Sequence, residues 1–212
     1  MPNRASSSDR SVEPTRSRTV LGWAAIVCYV IHAMVHLVRG EWYDLFWACH
    51  IAALLVGAGF LMQNAALNGA GVLLGLMGLP LWLADLAAGG EFFPTSVLTH
   101  VVALGIGLYG VARLGMPRGV WWRAALVLVG VITVSRLVTP PEPNVNVAFA
   151  IQHGWEQHFA SHASYLAWMI GSATAYFLIV EQTLRLLIFA VQKRNQSTQP
   201  SGLPASSDST SR

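Results

Sequence analysis

Apolar positions in this chain gather into six long stretches, at roughly residues 20–38, 43–62, 66–88, 96–115, 119–138 and 163–191, separated by short polar or glycine- and proline-rich breaks. Each stretch approaches the about 20 apolar residues needed to cross a bilayer. Backbone groups in hydrocarbon must pair within their own segment, so the pattern predicts helices rather than strands. Gly89, Gly90, Pro94, the 115–119 connection and Pro140 to Pro143 mark the breaks. The expected fold is all-α, a polytopic membrane bundle of six transmembrane helices within residues 19–194. Residues 1–18 and 195–212 are rich in Ser, Pro and other polar residues. They offer too little apolar surface to offset the entropy of ordering, so both are expected to be disordered tails.

Composition agrees with this picture. Of 212 residues, 54% are apolar and 11% charged, with a mean hydropathy of +0.50; a soluble domain carries about a quarter charged residues. The run at 20–38 is too long for a signal-peptide core and is followed by no clear small-x-small cleavage site, so it reads as a retained first helix. The two cysteines, Cys28 and Cys49, both lie in apolar runs and form no disulfide framework. No phosphate-binding glycine loop or nucleic-acid module is present, and a nucleic-acid partner is not expected.

Charge sets the expected orientation. With six helices, eleven of the thirteen Lys and Arg residues fall on one side, and only Arg39 and Arg136 lie toward the other. The positive-inside rule then places both termini in the cytoplasm, in the cell (inner) membrane. This topology brings all seven histidines to the outer side: His32 and His36 on helix 1, His50 on helix 2, His100 on helix 4, and His153, His158 and His162 in the 139–162 connection. Glu41, Asp44, Asp85, Glu91, Glu142 and Glu156 join them. Ionisable groups are costly at bilayer depth unless paired or hydrated, so a polar outward cavity is expected, open to a lipid or small-molecule ligand and covered by the 139–162 connection.

Within that cavity the candidates differ in character. Cys28, His32 and His36 repeat every four residues and share one face of helix 1, suiting either a ligand pair or hydrogen bonding between helices. Cys49 and His50 are neighbours, about 100° apart around their helix, and are expected to point to different places. Ala48, Ala52, Ala53 and Gly57 make a surface for close helix contact. Asp85, more than a turn inside the third stretch, is expected to pair with a histidine or with Arg136. Ser96 and His100, four apart, suit a helix cap or a serine–histidine pair. His158 and His162 would share a face if a helix ran on from Phe149, and Glu181 and Arg185 read as a local ion pair.

Six helices, the WACH segment early in helix 2 and the PTSVLTH segment opening helix 4 resemble the YwaF-type bacterial integral membrane proteins, which are distantly similar to the androgen-induced class of membrane hydrolases. That resemblance implies lipid-ester chemistry, with Cys49 as nucleophile and His100 as base. Asp85 would orient a histidine, and Asn144, Asn146 or Arg136 would stabilise an oxyanion.

Two other function classes stand beside this one. The first is a metal- or haem-binding protein, with His32, His36, His50, His158 and His162 as candidate metal ligands. The second is a transporter or assembly factor without chemistry, in which Asp85 and Arg136 form a gating pair.

Overall fold

The computed structural model describes residues 12–197, with side chains for 17–194. The remaining terminal residues, including most of both expected tails, lie outside that range. Six α-helices account for most of the described chain: α1 (Val12–Arg39), α2 (Ala48–Leu61), α3 (Ala65–Ala87), α4 (Ala103–Leu114), α5 (Val120–Val138) and α6 (His162–Ser197). Among the described residues there is no strand. Helix α1 therefore begins at Val12, inside the segment expected to be a tail, and α6 continues to Ser197.

Four helical segments, Ser17–Arg39, Ala65–Ala87, Val120–Val138 and His162–Arg194, are long and apolar enough to cross a membrane. The second and fourth expected spans come out shorter. Helix α2 has 14 residues, because Trp42–Phe46 form a separate 3-10 turn in which Trp47 Nε1 donates to Asp44 Oδ1 at 2.9 Å. Before α4, Leu98–Val102 form a turn of π-helix. The Ser96 carbonyl there accepts from two side chains, Thr99 Oγ1 at 3.0 Å and His100 Nδ1 at 2.9 Å. A carbonyl occupied by side chains is lost to the regular ladder, and a widened turn accommodates this.

Small residues set the helix crossings. Ala48, Ala52, Ala53 and Gly57 of α2 are buried, as the small-residue pattern suggests. A Cβ on Gly71 of α3 would lie 2.7 Å from the Ala52 carbonyl, and one on Gly57 would lie 2.8 Å from the Gly22 carbonyl of α1. Both helix pairs thus pack nearly backbone to backbone, which supplies van der Waals contact where lipid gives no hydrophobic drive. Leu73, Leu74, Phe60, Val120 and Phe177 fill the centre. The outward faces carry Val20, Leu81, Leu126, Ile179 and Leu186, an apolar exterior.

Two backbone defects are repaired by side chains from other helices. Pro80 lies inside α3 and has no N–H for the carbonyl of Leu76; Tyr176 Oη of α6 donates to that carbonyl at 3.0 Å. At the start of α5, Gly119 N and Trp121 N donate to the two carboxylate oxygens of Glu181, at 3.0 and 2.8 Å. Glu181 is 1% exposed, and Arg185 Nη1 lies 4.0 Å from it. The expected local ion pair is secondary; the carboxylate caps a helix terminus on α5.

Candidate functional site

The ends of α1 and α3 and the starts of α2 and α4 meet at one end of the bundle, bringing His32, His36, His50 and His100 together. All four are at most 5% exposed. The rings of His32 and His36 lie 4.7 Å apart, those of His32 and His50 4.5 Å, and those of His50 and His100 5.9 Å, all but the last-turn neighbours linked across different helices. Trp82 stacks on His100 at 4.7 Å.

The partners of the ring nitrogens decide what this cluster can do. His50 Nδ1 sits 2.7 Å from the Asp44 carbonyl and His100 Nδ1 sits 2.9 Å from the Ser96 carbonyl. A carbonyl oxygen only accepts, so both Nδ1 atoms carry the hydrogen, and in the neutral rings both Nε2 atoms present a lone pair. His36 Nδ1 faces Glu41 Oε2 at 3.1 Å and Asp44 Oδ2 at 3.2 Å, which fixes its ring in the same sense. Backbone carbonyls and carboxylates on the far nitrogen are the usual supports of a metal-binding imidazole.

One nitrogen each of His50 and His100 and the sulfur of Cys49 lie within 4.8 Å of one another. The expectation that Cys49 and His50 point apart is therefore corrected. They sit in the first turn of α2, and His100 approaches from α4 to bring its nitrogen near both donors. On the other flank, His32 Nε2 lies 3.1 Å from His50 Nε2, while His32 Nδ1 meets Thr95 Oγ1 at 2.9 Å. His36, Glu41 and Asp44 form a second group of donor atoms within 4.8 Å, held by the hydrogen bonds just described.

Beside the cluster lie residues that the sequence places on the outer side without a role, together with Phe93 and Thr95, which it does not single out. Arg39 bonds Glu41 Oε1 at 3.0 Å and Glu91 Oε2 at 2.8 Å, and its guanidinium lies 4.8 Å from the centre of the Phe93 ring. Phe93 in turn contacts His36, with ring centres 4.9 Å apart. Burial raises the Glu41 carboxyl, but its bonds to Arg39 and His36 outweigh this and hold it below its ordinary value. Phe93 and Thr95 belong to the break before α4, which the sequence marks only by Pro94 between them.

Other candidates sit elsewhere. Asp85 is exposed in the last turn of α3, and among the described residues its carboxylate pairs with neither Arg136 nor any histidine. Arg136 instead donates to the Ala148 carbonyl at 2.6 Å. The expected Asp85–Arg136 pair is thereby corrected: Asp85 takes the exposed face of α3, while Arg136 of α5 turns to the 139–162 connection. His153 and His158 are exposed, and His162 Nε2 donates to the Val147 carbonyl at 2.9 Å. His158 lies in a separate 3-10 turn, Glu156–His158, so it and His162 share no helix face and neither joins the cluster. Ser96 Oγ donates to the Phe93 carbonyl at 2.6 Å and is not paired with His100.

The 139–162 connection is a prop more than a cover. Asn146 accepts from Ala48 N at 2.9 Å and donates to the Phe46 carbonyl at 2.7 Å and Ser135 Oγ at 2.9 Å. It thereby caps the start of α2 beside His50. Asn144 folds back on Phe149 N and Ala150 N, both at 3.0 Å. Of the three expected oxyanion donors, Asn144 and Arg136 are committed to backbone of the connection, and Asn146 to Phe46, Ala48 and Ser135.

Comparison of the chain with protein-family models, with curated proteins and with solved structures finds no match.

Proposed function

We propose that this chain is a multi-pass membrane protein that binds a transition-metal ion through Cys49, His50 and His100. The observation that carries this reading is the set of converging donors, one nitrogen each of His50 and His100 and the Cys49 sulfur within 4.8 Å, together with the backbone carbonyls that hold Nδ1 of both imidazoles. Bonds of about 2.0 to 2.3 Å to a four-coordinate ion need donors about 3.2 to 3.8 Å apart, so the set closes by about 1 Å around an ion. Imidazole with one thiolate suits zinc, copper(I) or cobalt(II) better than calcium or magnesium. The thiol gives up its proton on binding. A porphyrin suits the site poorly, since the rings pack edge to face with Trp82 and Phe93 against them.

In this reading all six helices cross the cell membrane and both termini are cytoplasmic. The support is the gathering of four histidines at one end of the bundle and the charge asymmetry of the sequence, in which eleven of the thirteen Lys and Arg fall on one side of a six-span topology. Metal analysis of the purified protein, followed by cobalt(II) titration under reducing conditions, tests the proposal. Wild type gives a thiolate-to-cobalt charge-transfer band that Cys49→Ser abolishes, and His100→Ala weakens binding at least about 10-fold. A wild-type protein without that band ends it.

The proximity of Cys49 to His100 also supports a second reading, acyl transfer from a lipid ester with Cys49 as nucleophile and the His100 Nε2 lone pair as base. It requires a thiol-directed acylating probe to label Cys49 and to lose most of that labelling in His100→Ala. Equal labelling of the two proteins rules it out.

A further inference from the structure

We infer that His32 is a fourth ligand of the Cys49–His50–His100 site and that Thr95 is the residue that positions it. This inference rests on the metal-binding reading above; His32 lies outside the set of three donors within 4.8 Å and adjoins it through His50, so ligation would draw it toward the ion.

The hydrogen-bond chain through His32 has only one consistent order. His50 Nδ1 faces the Asp44 carbonyl at 2.7 Å and must donate to it, so His50 Nε2 is bare. His32 Nε2, 3.1 Å away, must then carry the hydrogen and donate to His50 Nε2. That leaves His32 Nδ1 bare, and it accepts from the Thr95 hydroxyl at 2.9 Å. Thr95 Oγ1–H, His32 and His50 thus form an ordered line ending on a backbone carbonyl. In this state the His50 lone pair is occupied by a hydrogen of His32.

An ion that takes the His50 Nε2 lone pair must remove that hydrogen from between the rings. A tautomer exchange does so with no net loss of a proton. The N–H bond at His32 Nε2 breaks and one forms at Nδ1, through an exchanging water or hydroxyl. The Thr95 hydroxyl turns from donor to acceptor and receives the new Nδ1–H. Both Nε2 atoms then face the ion, and their separation of 3.1 Å is close to the about 3.2 Å expected of two imidazoles on one four-coordinate ion. A hydroxyl is the one support that can serve both states, because it donates or accepts by rotation; the carbonyls behind His50 and His100 cannot. His32 and Thr95 come from α1 and the break before α4, so binding would tie these two segments to the start of α2.

The experiment is cobalt(II) titration of the full chain in detergent, comparing wild type with His32→Ala, His32→Gln, Thr95→Val and Thr95→Ser, and reading affinity and the visible ligand-field bands. Either His32 substitution lowers affinity about 10- to 100-fold and moves the bands as water replaces an imidazole. Thr95→Val weakens binding about 10-fold while the thiolate charge-transfer band persists, and Thr95→Ser restores wild-type affinity. Two His32 variants guard against one that fails to fold, and thermal unfolding of the metal-free proteins checks this directly. Unchanged bands and affinity in the His32 variants overturn the inference while leaving the three-ligand site standing. Failure of Thr95→Ser to restore what Thr95→Val loses removes Thr95 from it. A wild type that gives no cobalt spectrum overturns both readings together.

Discussion

The two ends of the bundle each bury a polar group among apolar helices, and they treat it in opposite ways. At one end Glu181 spends both carboxylate oxygens on Gly119 N and Trp121 N, and its chemistry is consumed in holding the start of α5. At the other end His50 and His100 spend Nδ1 on backbone carbonyls, which leaves Nε2 for side chains or a ligand, and at His50 that nitrogen meets a second imidazole. A buried polar group with every atom paired is a fastener. One with a fixed half and a free half is an instrument, because the fixed half sets the orientation in which the free half meets a ligand.

The comparison can be broken by substitution, and the largest effect belongs to the fastener. Glu181→Ala leaves two N–H groups at a buried helix start without acceptors and costs about 3 kcal/mol, read as a lower Tm in detergent. The folded fraction keeps its cobalt affinity, and loss of affinity in step with Tm would show that the two ends are not independent. Tyr176→Phe strands the Leu76 carbonyl that Pro80 leaves without a partner, at a cost of about 1 kcal/mol; an unchanged Tm would mean that the carbonyl finds another donor. Asp85→Ala changes stability by less than about 0.5 kcal/mol and leaves cobalt binding alone, since the side chain is exposed and unpaired. A large effect there would restore Asp85 to the site.

Much of this architecture is legible in the sequence, because a bilayer-length apolar run has few alternatives. The meeting of His32, His36, His50 and His100 is legible as well, since a six-helix topology puts their helix ends on one side. What could not be read was atomic. Hydropathy locates Asp85 near the end of α3 but does not say which face of the helix it takes, and it takes the exposed one. Cys49 and His50 were judged by angle around one helix, a rule that leaves out His100 arriving from α4 near both. Thr95 carries no signal apart from its place beside Pro94, and it matters only because α1 brings His32 Nδ1 to 2.9 Å from it. Asn146 had been offered as a catalytic donor; its backbone sits at φ +54°, where asparagine is tolerated, and its amide is used up in shaping the chain around Ala48.

Helix α2 has only 14 residues, about 21 Å at 1.5 Å per residue, against a hydrocarbon layer about 30 Å thick. In the six-span reading proposed above, a helix that short leaves the lipid around it pinched or wetted. An ion on its way to the histidines would then travel through headgroups and water for most of the distance, and would shed its hydration shell only at the last step, among the rings. In that reading the same mismatch favours thin membranes and lipids that tolerate thinning, so bilayer thickness becomes a physical variable acting on the helix that carries Cys49 and His50.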